Sequence, residues 1–384
     1  MAFDNRWAIL FVLFVARTVM ACQFQSVASS APFLLNAFAI DYAKLGSLIG
    51  LYMLPGIFIA LPGGMLGQRF GAKQLVLAGL LLMAAGGALM GASPTFFLLA
   101  IGRLVSGVGA VLINVLLTKM VADWFAKREI VTAMAILIAS WPLGIGLALL
   151  LFTPLAASHS WNAVMFAAAF MALVSFVLMA AAYRDPAQAP PARAALQLDL
   201  TRREWLAVSL AGAIWMAYNV GYIVLVSFLP ALFRADGYSI AEAARIVSVL
   251  GWALIPTLPL TGYLTERLRQ PNAFLIGGFL ISGLAAAALP FTANPVPLFA
   301  VLVLMIGAPA GPIMALPAQA LKPHNLAAGM GVYFTWYYAG MALLPGLAGM
   351  AQDLTASPAA PALFAGGMMA LSLAALAGFR LVAR

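Results

Sequence analysis

Acidic residues are scarce in this sequence, and none falls in the middle of a long apolar run. Eleven Asp and Glu are spread over 384 residues, and each lies in or beside a polar segment that separates such runs. The two histidines, His159 and His324, occupy such segments as well. Without an embedded acid or imidazole the sequence offers no obvious proton relay inside its apolar stretches. One cysteine, Cys22, excludes an intramolecular disulfide and any cysteine-based metal cluster. Charged residues of both signs make up only 8%, against about 25% in an ordinary soluble domain. That shortage excludes a water-soluble fold. No Ser/His/Asp constellation, phosphate-cradling glycine loop or histidine-rich metal spacing is present, so the chain is not expected to be an enzyme, and neither a cofactor nor a metal is expected.

What fills the sequence is hydrocarbon. Hydrophobic residues make up 65%, and runs of 18 or more recur, each able to cross a bilayer core roughly 30 Å thick as a helix. Bounded by Gly, Pro, Asn, Asp and charge, the runs predict twelve helices near 7–36, 44–66, 74–93, 96–122, 130–156, 161–183, 205–232, 240–262, 273–290, 295–320, 325–350 and 358–382. The amino-terminal run continues past residue 35 and reads as a first span, not a cleaved signal peptide. The polar, Pro-rich stretch "YRDPAQAPPARAALQLDLTRRE" (183–204) follows the sixth run. The expected fold class is an all-α polytopic membrane protein with twelve transmembrane helices in two pseudo-symmetric six-helix bundles. Residues 1–183 form the first bundle, 184–204 a cytoplasmic linker and 205–384 the second.

The net charge of +9 would raise the question of nucleic acid in a soluble protein. Here the basic residues sit in short loops, fourteen of the twenty on the side of both termini and three on the other. That asymmetry places both termini in the cytoplasm, in a cell membrane crossed many times. The expected partners are a lipid bilayer and a small-molecule substrate, with no nucleic acid and a monomeric state.

The halves echo each other. "GGMLGQRFGAK" (63–73) follows the second span and "TGYLTERLRQP" (261–271) the eighth, and the pairs Gly64/Gly262 and Arg69/Arg267 share one offset of 198 residues. The first loop resembles the signature between the second and third helices of the major facilitator superfamily. "GRLVSGVGA" (102–110) is similar to that family's fourth-helix pattern, an arginine followed by spaced glycines. The resemblance covers essentially the whole chain. It implies two bundles around a central cavity that opens alternately to each side, lined by the first, fourth, seventh and tenth helices. It also implies gating or structural roles for Gly64, Arg69, Gly71, Arg103, Gly262, Glu266 and Arg267. One departure is Gln68, where the family has an aspartate; Glu266 keeps the acid in the second half. Within the superfamily the polar first helix is similar to the cyanate and nitroimidazole porter group and to organic-anion carriers.

That first helix contains "FVARTVMACQFQS" (14–26). Arg17 lies about ten residues inside the span, roughly 15 Å deep, where facing lipid would cost at least about 2.5–3.5 kcal/mol. It must face a cavity or a buried partner. Arg17, Ala21, Gln25 and Ser29 share one i+4 row. Two readings stay open: a helix contact in which the guanidinium bonds backbone carbonyls, or a substrate contact in which its five-donor fork holds an oxyanion. Arg103, nearer a helix end and followed by Gly107 and Gly109, is explained without substrate, and Asn114 extends its polar track inward. Lys119 and Asp123 are spaced for a local ion pair. In "WMAYNVGY" (215–222) and "YFTWYYAG" (333–340), Tyr218, Asn219, Tyr222, Trp336 and Tyr337 could supply donors and flat walls to a small organic molecule, packing being the other reading. The Pro- and Gly-rich "IGAPAGPIMALP" (306–317) in the tenth span predicts a bent helix that serves as a gate. The expected function is secondary active transport of a small anion, an organic carboxylate or a cyanate-like ion, by alternating access with antiport or symport. The alternative is an exporter of neutral or aromatic small molecules.

Overall fold

The computed structural model describes residues 5–60, 69–125, 129–185, 200–322 and 325–383, and among them the extended regular structure is helical throughout. In chain order the helices are α1 (Arg6–Ser29), α2 (Ala31–Phe38), α3 (Tyr42–Leu51), α4 (Ala72–Gly91), α5 (Phe96–Phe125), α6 (Ile130–Ser158), α7 (Trp161–Ala182), α8 (Arg202–Ala235), α9 (Ile240–Leu268), α10 (Pro271–Ala288), α11 (Pro295–Met305), α12 (Ala310–Met314), α13 (Leu316–Ala320), α14 (Leu326–Thr355) and α15 (Ala360–Val382). Eleven helical stretches among the described residues are long and apolar enough to cross a membrane. The 30-residue α14 completes the expected set of twelve. The chain separates into two compact units, Met1–Ile40 with Leu48–Arg193, and Asp41–Ser47 with Ala194–Arg384.

Helix starts follow from short polar side chains ahead of apolar runs. Asn5 accepts the N–H of Trp7 at 2.9 Å and opens α1. Thr201 with Glu204, and Ser239 with Glu242, form reciprocal capping boxes at α8 and α9. Glu204 also accepts the backbone N–H of Lys322 and the side-chain amide of Asn325, each at 3.1 Å, tying the start of α8 to the approach of α14. Glu204 and Glu242 thus stand at helix starts, where the free N–H groups and the positive pole of the helix dipole favour them.

Among the described residues three spans are broken, each near proline. The first breaks at Ser30, with Pro32 in the opening turn of α2. In the second, α3 stops at Leu51 and a turn runs over Tyr52–Pro55, because Pro55 has no N–H to return to the carbonyl of Leu51. The tenth is divided into α11, α12 and α13 around Pro309, Pro312 and Pro317. The central windows of α1 and α8 are 67% and 83% buried, more than those of the other candidate spans. Polar groups along these two helices are therefore largely withheld from lipid.

Candidate functional site

In the first unit the fully buried arginine is Arg103 on α5. Its Nε donates to the carbonyl of Leu48 at 3.1 Å, Nη1 to that of Gln23 at 2.8 Å, and Nη2 to those of Phe24 at 2.6 Å and Ile49 at 3.5 Å. The guanidinium lies 4.5 Å from the ring centre of Tyr52 and 5.5 Å from that of Phe24. Leu48 and Ile49 belong to the last turn of α3, whose early stop leaves carbonyls without the usual N–H four residues on; Met53, for instance, donates to Gly50 instead of Ile49. Arg103 fills that vacancy with a cation at the negative end of the helix. It reaches there because Gly107, one turn along, lets α3 come close: a Cβ at Gly107 would stand 2.4 Å from the carbonyl oxygen of Tyr52. Gln23 and Tyr52 complete the cluster, the Gln23 amide donating to Met83 at 2.7 Å and the Tyr52 hydroxyl to Met20 at 3.1 Å.

Arg17, on α1, is only partly buried. Its Nη1 donates to the carbonyl of Leu137 on α6 at 3.0 Å, and the Ser140 hydroxyl donates to the same oxygen. This carbonyl lies in the turn ahead of Pro142, which a proline ring opens. Trp141 packs against Phe24 at 5.3 Å between ring centres. Arg17 therefore makes a backbone contact and keeps part of its surface accessible. Gln25, two turns on, is fully buried, and Asn114 on α5 is partly buried. Lys119 and Asp123 form their ion pair at 2.5 Å, outside this cluster. Every described carboxylate lies between helices or within a turn of a helix end.

In the second unit α8 and α14 bring aromatic rings together. The Trp215 indole stacks on Tyr218 at 5.8 Å and on Tyr333 at 6.3 Å, with Tyr337 at 6.2 Å. The Tyr218 hydroxyl donates to the carbonyl of Ile306, just past the end of α11, at 2.9 Å. The Asn219 amide donates to the carbonyl of Trp215 at 2.7 Å. Tyr222 is buried on the same face of α8. Trp336 is 41% exposed and lies against Gly212, at the flank of the cluster. Trp215 and Tyr333 were not among the expected site residues. The signal was in the sequence, since they stand three and four residues from Tyr218 and Tyr337, the spacing that puts side chains on one helix face.

The two related loops have different surroundings. Gly64 lies outside the described residues. Arg69 is exposed over Phe70, 5.3 Å from its ring centre. Gly71 precedes α4 with φ of 85°, a conformation glycine adopts without strain. A Cβ at Gly262 would meet nothing within 4 Å. Glu266 is exposed, and Arg267 donates to the Tyr263 hydroxyl at 3.3 Å.

A chain crossing the membrane many times, with polar and aromatic groups strung along its two most buried helices, has the build of a solute transporter. Residues 13–345 match the Major Facilitator Superfamily, and the chain belongs to that family. Its similarities run to transporters. It is 25% identical over 291 residues to a 3-(3-hydroxy-phenyl)propionate transporter of Escherichia coli (strain K12), covering 72% of this chain and 68% of that one. It is 25% identical over 337 residues to a gallate transporter of Pseudomonas putida, covering 74% of each. Among solved structures, a bacterial homolog of the human lysosomal transporter Spinster aligns with a TM-score of 0.76 at 17% identity, over 100% of this chain and 98% of that one. The protein is a multi-pass membrane transporter.

Proposed function

We propose that the protein carries a small organic anion, an aromatic carboxylate in particular, by alternating access. The observation that carries this reading is Arg17: a guanidinium at mid-span on a largely buried helix, partly accessible, in a chain whose described carboxylates stand at helix ends. Positive charge in a low-dielectric interior with acids kept to its margins attracts anions and repels cations. The contrast with Arg103 supports the assignment, since that side chain is engulfed and committed to backbone carbonyls. The aromatic cluster on α8 and α14 supplies flat apolar walls for a ring. The names of the two relatives denote aromatic carboxylates, in keeping with this chemistry. The excess of basic residues on one side supports placing both termini in the cytoplasm.

The test is benzoate uptake into proteoliposomes by the unaltered protein, Arg17→Lys and Arg17→Gln. Gln removes the charge and is expected to reduce uptake at least about tenfold, the weight of one charged hydrogen bond. Lys keeps the charge without the planar fork and is expected to fall between. Full uptake by a folded Arg17→Gln protein would leave the neutral-solute reading, to which the aromatic cluster is equally suited.

A further inference from the structure

We infer that the aromatic face of α8 recognises an oxygen substituent on the ring of the transported solute, through Trp215 and Tyr222. The inference rests on the transport reading above and adds to it a specificity determinant.

Trp215, Tyr218, Asn219 and Tyr222 follow one another at helical spacings of three, four and seven and so share a face. Two of their polar groups are committed, the Tyr218 hydroxyl to Ile306 and the Asn219 amide to Trp215. The other two, the indole Nε1 of Trp215 and the hydroxyl of Tyr222, are buried and meet no hydrogen-bond partner among the described residues. Tyr222 is 4% exposed. In folded proteins roughly 90% or more of buried polar groups are paired; eleven such atoms are unmet among the described residues, and these two are set apart by sharing one helix face with the aromatic cluster. A water molecule needs two to four polar partners, whereas the Trp215 indole is flanked by the rings of Tyr218, Tyr333 and Tyr337. An aromatic solute fits both demands: its ring lies against the walls, and its oxygen accepts from the indole. Trp215 can only donate, so the substituent is an acceptor such as a phenolic, ether, nitro or carbonyl oxygen. Tyr222 stands about 10 Å farther along the helix axis. It therefore meets a second oxygen, or the same oxygen at a later point of the path. Trp215, Asn219 and Tyr337 keep partial exposure, and burial of α8 as a whole makes lipid a poor account of it.

Affinities of the purified full chain for hydroxybenzoates and for methylbenzoates of matched ring position, and for the two corresponding neutral benzamides, test this. The hydroxylated member of each pair is expected to bind about tenfold more tightly. In Trp215→Phe and in Tyr222→Phe that preference is expected to drop to within about twofold, and Tyr222→Phe, which deletes one oxygen atom, serves if Trp215→Phe does not fold. Loss of the preference in either folded variant supports the inference. Equal binding of the hydroxyl and methyl members by the unaltered protein, persistence of the preference in every folded variant, or no binding by any of the four compounds overturns it. Failure of the anion reading looks different: amides bind as well as carboxylates, while the hydroxyl preference and its loss in the variants remain.

Discussion

At the scale of residues, two arginines of one unit differ in burial, Arg103 fully buried and Arg17 partly so, and the proposed function assigns them different roles. Arg103 holds four carbonyls of α1 and α3. Its replacement by Met takes a donor from the buried carbonyls at the end of α3, Leu48 and Ile49, acceptors that cost about 1–3 kcal/mol each when left unmet. A large loss of thermal stability is expected, the same with and without solute. Arg17→Gln keeps a donor for the Leu137 carbonyl, so its melting temperature is expected to stay within a few degrees while uptake falls. Melting curves and uptake on the same preparations compare the two, and the account fails if the stability losses are equal. Both arginines were legible in the sequence from residue type and depth. What separates them was less so, because two of Arg103's partners, the carbonyls of Leu48 and Ile49, stand where Pro55 ends α3, a long-range consequence that spacing along α5 does not encode. Trp215 is legible by residue type and spacing, but its indole N–H becomes conspicuous only once its neighbours' polar groups are accounted for.

At the scale of elements, the breaks and close approaches are what position the chemistry. Gly107 admits the end of α3 against α5; Ala there puts a methyl group where the Tyr52 carbonyl oxygen already stands, 2.4 Å from the Cβ position. Overpacking of this kind costs about 1–3 kcal/mol, so Gly107→Ala is expected to lower thermal stability. Gly262→Ala is expected to leave stability unchanged or raise it slightly, since a Cβ there meets nothing and alanine favours the helix. Denaturation of the two variants side by side checks this, and equal losses would contradict it. The spans themselves could be read from hydropathy, and the interruption of the tenth from its prolines. The internal repeat was legible as well, but sequence equivalence did not carry equivalent surroundings. Gly71 needs its positive φ and Gly262 has open space around it, because each loop answers to the side chains of its own unit.

At the scale of the whole molecule, the proposed selection of anions rests on the distribution of charge. The described carboxylates stand between helices or within a turn of a helix end, some of them paired, as in Arg6–Glu129, Lys44–Asp41 and Lys119–Asp123. Class and family could be read almost entirely from the sequence, since the bilayer dictates run length and the repeat dictates two units. The identity of the solute could not, because the buried groups proposed to recognise it become apparent only in the folded chain. If the pathway selects negative charge, as proposed, excess external acetate is expected to slow benzoate uptake whereas tetramethylammonium, matched for ionic strength, is not. That selection, the central claim, is tested most directly with an isosteric pair, benzoate and its neutral analogue benzamide, measured as protein-dependent counterflow in the same proteoliposomes. The account predicts counterflow of benzoate with little or none of benzamide, and loss of that difference in Arg17→Gln. Equal counterflow of the two by the unaltered protein would contradict it.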